Sequence, residues 1–150
     1  MLDELLHLLT SDQRWEGIVV VKEYKRGLPL AMCDIQQIKQ AFLNILMNSF
    51  EAMQGKGGTI TIGTEQTALE DKPFLAISIR DTGGGIDPGA LDNIFNPFFT
   101  TKDRGSGLGL AISNKIVMHH GGFIEVKNKP GEGALFAVYL PAGITSTREG

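Results

Sequence analysis

Cysteine is almost missing: Cys33 is the one cysteine in 150 residues, which excludes an internal disulfide framework and a zinc cage built on Cys-x-x-Cys pairs. Such usage suits a reducing compartment, and a cytoplasmic location is expected. A long hydrophobic run is missing too. The most apolar stretch, 134–144, is broken by Pro141 and falls short of the roughly 18 to 20 residues that cross a bilayer, so no membrane contact is expected of this chain. Neither sign of charge dominates: 14 Lys and Arg against 17 Asp and Glu leave −3, which fits neither a disordered acidic tail nor a basic nucleic-acid arm. Residues 1–10 carry acids where a signal peptide needs a positive flank, so export is not expected. What remains, 42% hydrophobic residues in 150, is enough to bury one ordinary core.

Glycine, by contrast, is plentiful. Nineteen glycines make about 13% of the chain, near twice the usual share of about 7%. They are bunched at 83–89, 105–109, 121–122 and 131–133, each time beside a structured segment. That placement marks positions where the backbone bends sharply or approaches something closely.

Residues 1–9 have Leu2, Leu5, Leu6 and Leu9 at helical spacing but lack the length to stand alone, so 1–14 is expected to be the end of a linker or dimerisation helix. Strand signals follow at 15–24, where Ile18 to Val21 are apolar and mostly β-branched. Asp34, with Gln37 three residues on, starts a helix that runs to about Met53. Two strands, 59–64 and 74–80, read as an antiparallel pair separated by a polar loop through Asp71 and Pro73. Between 82 and 105 the pattern holds no more than one helical turn near 91–95, as a functional lid would. A helix over 107–119, a hairpin of 123–128 with 134–140, and a polar tail at 142–150 complete the chain. These elements predict an α/β fold, a two-layer sandwich of one sheet with helices on one face. The catalytic unit is placed at 15–141.

The long helix carries a narrow polar stripe, Gln37, Gln40, Asn44, Asn48 and Glu51, stacked by three- and four-residue steps. Such a stripe is either a solvated edge or a line of hard oxygen donors; an Asn carbonyl suits Mg²⁺, which takes few protein ligands and keeps waters and phosphate oxygens. Asp81, at the end of a strand, enters the glycine turn 81–86. An ionised carboxylate is a pure acceptor. It suits the exocyclic amine of adenine and opposes the carbonyl that guanine presents there, although an Asx turn alone gives the same short pattern. Gly105-Ser106-Gly107-Leu108-Gly109-Leu110 leads straight into a helix, where free N–H groups and the positive dipole end favour an anion. It matches neither the P-loop nor the dinucleotide fingerprint. Between the glycine clusters lies Asn96-Pro97-Phe98-Phe99-Thr100-Thr101-Lys102, paired aromatics followed by a cation able to reach phosphate. Of the histidines, His119 and His120 end a helix, where cations meet the dipole, and His7 lies in the leucine-rich stub.

In this order the elements resemble the ATP-binding catalytic domain of sensor histidine kinases, within the superfamily shared with gyrase, the heat-shock chaperone ATPases and the mismatch-repair ATPases. The wording of 96–102 and 105–110 is similar to kinases of the nitrogen-regulatory type. The resemblance implies a Bergerat fold with a mixed sheet and a long ATP lid, and Mg·ATP as the bound nucleotide. It implies that Asn44, Asn48 and Lys102 serve catalysis and that Asn48 ligates Mg²⁺. It implies nucleotide contacts from Ala52, Asp81, Gly83, Gly85, Ile86, Thr100, Thr101, Lys102, Gly105, Gly107, Leu108, Gly109 and Leu110. Two positions depart from the family pattern: Glu51 where a basic residue is frequent, and Ala134 where Thr or Ser usually follows the last glycine turn. The implied activity is transfer of the γ-phosphoryl group to a histidine on a separate dimerisation domain, with a response-regulator receiver domain downstream. The alternatives are an ATPase of the gyrase type, a serine kinase acting on sigma-factor regulators, or a degenerate nucleotide-sensing module.

Overall fold

Helix α2, Ile35–Ala52, is the spine of the molecule, and its start is chemically fixed. Asp34 is its N-cap, the Oδ1 atom accepting from the N–H groups of Gln36 at 3.0 Å and Gln37 at 3.3 Å. Its apolar face, with Phe42, Ile45, Leu46 and Phe50 fully buried, lies on a five-stranded sheet. The strands are β1 Ile18–Tyr24, β2 Gly58–Leu69, β3 Lys72–Asp81, β4 Phe123–Lys129 and β5 Gly133–Pro141, in the order β1-β2-β3-β5-β4. The β1–β2 pair is parallel and the others antiparallel, giving the mixed sheet expected. The computed structural model describes residues 1–96 and 109–142.

Registry brings the apolar positions into rows. Ile62 is opposite Ile79, Ile79 opposite Phe136, and Phe136 opposite Val126. The next inward row is Ile77, Val138 and Ile124. These side chains meet α2 and Val117 of α3, Gly109–His119. Each fully buried side chain of this size contributes on the order of 1.5–3 kcal/mol through removal from water. The opposite face presents Glu65, Arg80, Glu125 and Lys127 to solvent.

Helix α1, Leu2–Thr10, adds Leu5, Leu6 and Leu9 to the same core. Asp3 pairs with Lys22 at 2.8 Å and accepts from Tyr24 at 3.1 Å, and Glu4 pairs with Lys39 at 2.9 Å. Burial, then the neighbouring Asp3 charge, pushes the Tyr24 phenol up to about 12.

Two expected boundaries are corrected. Trp15 is outside the first strand: residues Gln13–Trp15 form one 3₁₀ turn, capped by Asp12 through the Arg14 N–H at 2.9 Å, and Gly17 at φ +90° breaks the chain before β1 begins. The polar loop expected between β2 and β3 is instead a long hairpin. Leu69 is opposite Lys72 and Ala68 opposite Pro73, which leaves Glu70 and Asp71 as a two-residue turn. Alternation fades there because Glu65, Gln66 and Ala68 are exposed in near succession. Both turn residues have positive φ, 51° and 65°, the backbone that Asn-Gly adopts most readily. Replacing Glu70 and Asp71 together by Asn and Gly is therefore expected to stabilise the chain by about 1 kcal/mol. Thermal unfolding followed by circular dichroism checks this, with a rise of roughly 2–4 °C anticipated.

Candidate functional site

Asp81 ends β3 with its side chain almost wholly buried, 3% exposed. Its Oδ1 accepts from the Gly83 N–H at 2.9 Å and from the Ala134 N–H at 3.4 Å. Both donors fall on one oxygen, so Oδ2 retains capacity to accept a further proton. Burial raises the carboxyl pKa above its ordinary 3.8, while the two backbone N–H groups and the nearby Ser49 pull it back. Ser49 Oγ is itself fully buried on α2 and satisfies no hydrogen-bond geometry with a protein partner; its influence on Asp81 is that of a neighbouring dipole. At Ala134, where the family pattern has Thr or Ser, the backbone N–H reaches Asp81 but the side chain offers no hydroxyl.

Glycine is required around this carboxyl. A Cβ on Gly133, at φ +143°, would run into the Asp81 carbonyl oxygen. One on Gly83 would lie 2.8 Å from the Ala52 carbonyl oxygen and 2.9 Å from its Cβ. Ala52, Asp81 and Gly83 are therefore in one place. Gly85, at φ +76°, sits against the β4–β5 turn, where a Cβ would meet the Lys129 carbonyl oxygen at 2.7 Å.

Asn44, Asn48 and Ala52 follow one another at four-residue steps on α2, a ridge of about 12 Å by helical rise. At one end the Asn44 Nδ2 donates to the Gly109 carbonyl at 3.0 Å, while its Oδ1 accepts from Gln40 at 2.9 Å. At the other end Ala52 meets Gly83. Half-buried Asn48 occupies the middle. The ridge thus spans the gap between the glycine turn after β3 and the start of α3. Ser113, buried on α3, secures that junction by donating to the Ala41 carbonyl at 2.8 Å. Leu110 is half-buried against the core. Glu51 is half-buried one turn from Asn48, and its charge faces Arg14. Thr100, Thr101, Lys102, Gly105, Gly107 and Leu108, together with Pro97, Phe98 and Phe99, lie outside the described residues.

Ser49, Ser113 and Asn128 escaped sequence reading. Each has a polar neighbour in the sequence, Asn48, Asn114 and Lys127 in turn, so no local pattern set it apart. The expectation for His120 also changes. It lies just past α3, its Nε2 accepting from the Asp34 N–H at 3.0 Å and its Nδ1 2.8 Å from the Ile116 carbonyl oxygen. With Nε2 accepting, Nδ1 carries the proton. The ring caps α3 as a neutral donor and ties it to the start of α2, without a cation meeting the dipole.

Comparison with known proteins identifies the family. Residues 33–144 match the family model described as histidine kinase-, DNA gyrase B-, and HSP90-like ATPase. The sensor histidine kinase ZraS of Escherichia coli K12 is 37% identical over 145 residues, which is 97% of this chain and 30% of that protein. Sporulation kinase C of Bacillus subtilis is 37% identical over 142 residues, 94% of this chain and 32% of that one. Among solved structures, the catalytic domain of histidine kinase ThkA superposes with a TM-score of 0.79 at 31% identity, covering 93% of this chain and 90% of that one. Full-length ShkA in complex with AMPPNP gives 0.80 at 27% identity, covering 96% and 30%. The chain belongs to the histidine kinase-, DNA gyrase B- and HSP90-like ATPase family. It spans about a third of the length of the two curated relatives.

A stability consequence follows from the buried acid. The pKa of Asp81 is higher folded than unfolded, so ionisation costs stability; that cost is absent below about pH 3.8 and complete once the pH exceeds the folded value. Asp81→Asn keeps an acceptor for Gly83 and Ala134 without the charge. It is expected to melt no lower than the unaltered chain at pH 7, and differential scanning calorimetry checks this; a fall of several degrees would mean that the charge itself holds the turn.

Proposed function

We propose that this chain is the catalytic, ATP-binding part of a histidine kinase. It binds Mg·ATP and presents the γ-phosphoryl group to a histidine nitrogen on a separate dimerisation domain of the parent protein, and a response-regulator receiver domain then takes up the phosphoryl group. The single observation that carries the reading is the buried Asp81 carboxyl, held by Gly83 and Ala134 at one end of the α2 ridge. There it accepts from the amine of adenine, while Gly83, Gly85 and Ile86 let the backbone pass beside the base. The opposite end of the ridge, at Gly109 and Leu110, is where helix α3 begins and where N–H groups favour phosphate. Gly105, Gly107, Leu108, Thr100, Thr101 and Lys102 belong to the same phosphate side in this reading. One relative is named a sensor histidine kinase and another a sporulation kinase, and this chain covers about a third of each, which supports further domains in the parent.

The family resemblance assigns Asn48, half-buried in the middle of the ridge, to Mg²⁺ as its protein donor, with phosphate oxygens supplying other positions. The cation, when bound, neutralises charge on those oxygens. The chain's own work is to orient the nucleotide and keep its terminal phosphorus open to in-line attack. The lone pair of an imidazole nitrogen bonds to that phosphorus, the bridging oxygen leaves with its electron pair on ADP, and the ring's other nitrogen releases its proton to solvent. Hydrolysis is disfavoured at Asn44, which stands where gyrase-type enzymes place a Glu to activate water; an amide is a poor general base, and here it is engaged by Gln40 and Gly109.

Incubation with γ-labelled ATP tests the reading. Label is expected on the parent's dimerisation domain supplied separately, with negligible label on His7, His119 or His120 of the chain alone. Asn48→Ala is expected to lower labelling by about a hundredfold or more. Equal labelling by that variant, or stoichiometric labelling of the chain itself, would contradict the assignment.

A further inference from the structure

Along β4 the half-buried positions are Ile124, Val126 and Asn128. The first two join the apolar rows; the third is an amide where an aliphatic side chain continues the pattern. Asn128 is opposite Ala134 on β5, and Ala134 is the residue whose N–H reaches Asp81. The amide is therefore one strand removed from the buried acid.

Its two polar ends have a single target. The Ile86 N–H donates to Asn128 Oδ1 at 2.6 Å, and Asn128 Nδ2 donates to the Ile86 carbonyl at 2.6 Å. This reciprocal pair is what a neighbouring strand would supply, here made by one side chain. It is reinforced on the same turn. The Gly131 N–H donates to the Gly84 carbonyl at 2.7 Å, and a Cβ on Gly85 would lie 3.0 Å from Asn128 Oδ1. Residues 84, 85 and 86 are thus laid flush on the β4–β5 turn. Ile86 is also where the chain leaves for residues 87–96.

We propose that Asn128 is a positioning residue of the nucleotide site: through the backbone of Ile86 it fixes the glycine turn that begins at Asp81, without touching the ligand. The inference rests on the reading of that turn as the base-binding element. Neither of its hydrogen bonds ties core elements together, so its effect falls on ligand affinity more than on folding. Losing the two bonds loosens a surface that the base must meet.

The test is calorimetric titration of the chain with Mg·ATP at a temperature where every variant is folded, alongside amide hydrogen exchange at Ile86. Asn128→Ala is expected to raise Kd about tenfold and to speed Ile86 exchange. Asn128→Asp keeps the acceptor for the Ile86 N–H but loses the donor to its carbonyl; an intermediate rise in Kd is expected, and this milder change guards against failure of the Ala variant to fold. Exposed Lys127→Ala should change neither quantity. A Kd unchanged in Asn128→Ala, with only a lower melting temperature, would overturn the proposal in favour of a purely structural role. A raised Kd with unaltered Ile86 exchange would also overturn it, since the residue would then act directly on the ligand. If the unaltered chain fails to bind Mg·ATP at all, the base-binding reading falls, and this inference with it.

Discussion

A carboxylate kept out of water at the end of a core strand is the constraint around which the site is arranged. Burying an acid is unfavourable unless donors face it, and Asp81 meets that demand with backbone N–H groups from two different directions. Gly83 comes from its own turn and Ala134 from the neighbouring strand. Those approaches need bare backbone, so Gly133 and Gly83 have no room for a side chain. Two of the glycines thus serve the seating of one acid.

Helix α2 converts that local arrangement into a site with length. Its apolar face rests on the sheet through Phe42, Ile45 and Phe50, which leaves the line of Asn44, Asn48 and Ala52 facing the glycine segments. Because the helix is rigid and anchored by Asp34 at its start, the distance between the Asp81 turn and the beginning of α3 is set by the core. Ser113 and His120 hold α3 to the same helix from its two ends. Core packing and ligand geometry are therefore one problem: a shift of α2 on the sheet would move both ends of the site.

Much of this was legible in the residues. The four-residue step from Asn44 to Asn48, the strand-ending Asp81 and the glycines that follow are local patterns with direct physical meaning, and one sheet with helices on one face followed from the order of elements. Other features were not. In the β2–β3 hairpin exposed Glu65 and Gln66 break the alternation that reveals a strand, and the chain turns at Glu70 and Asp71 without the glycine that marks such turns. Trp15 has strand propensity but is held in a 3₁₀ turn by the Asp12 cap. Asn128 and Ser113 depend on partners far away in the chain, Ile86 for one and Ala41 for the other, and a reading that proceeds along the sequence does not reach them.

The account makes the purine edge the feature that this site reads: an acceptor at Asp81 welcomes an amine and opposes a carbonyl. Titration of the unaltered chain with Mg·ATP and with Mg·GTP, which share ribose and triphosphate and differ in the base, isolates that interaction. The account anticipates measurable binding of the adenine nucleotide and affinity for the guanine nucleotide weaker by about a hundredfold or more. Comparable affinity for the two would contradict it.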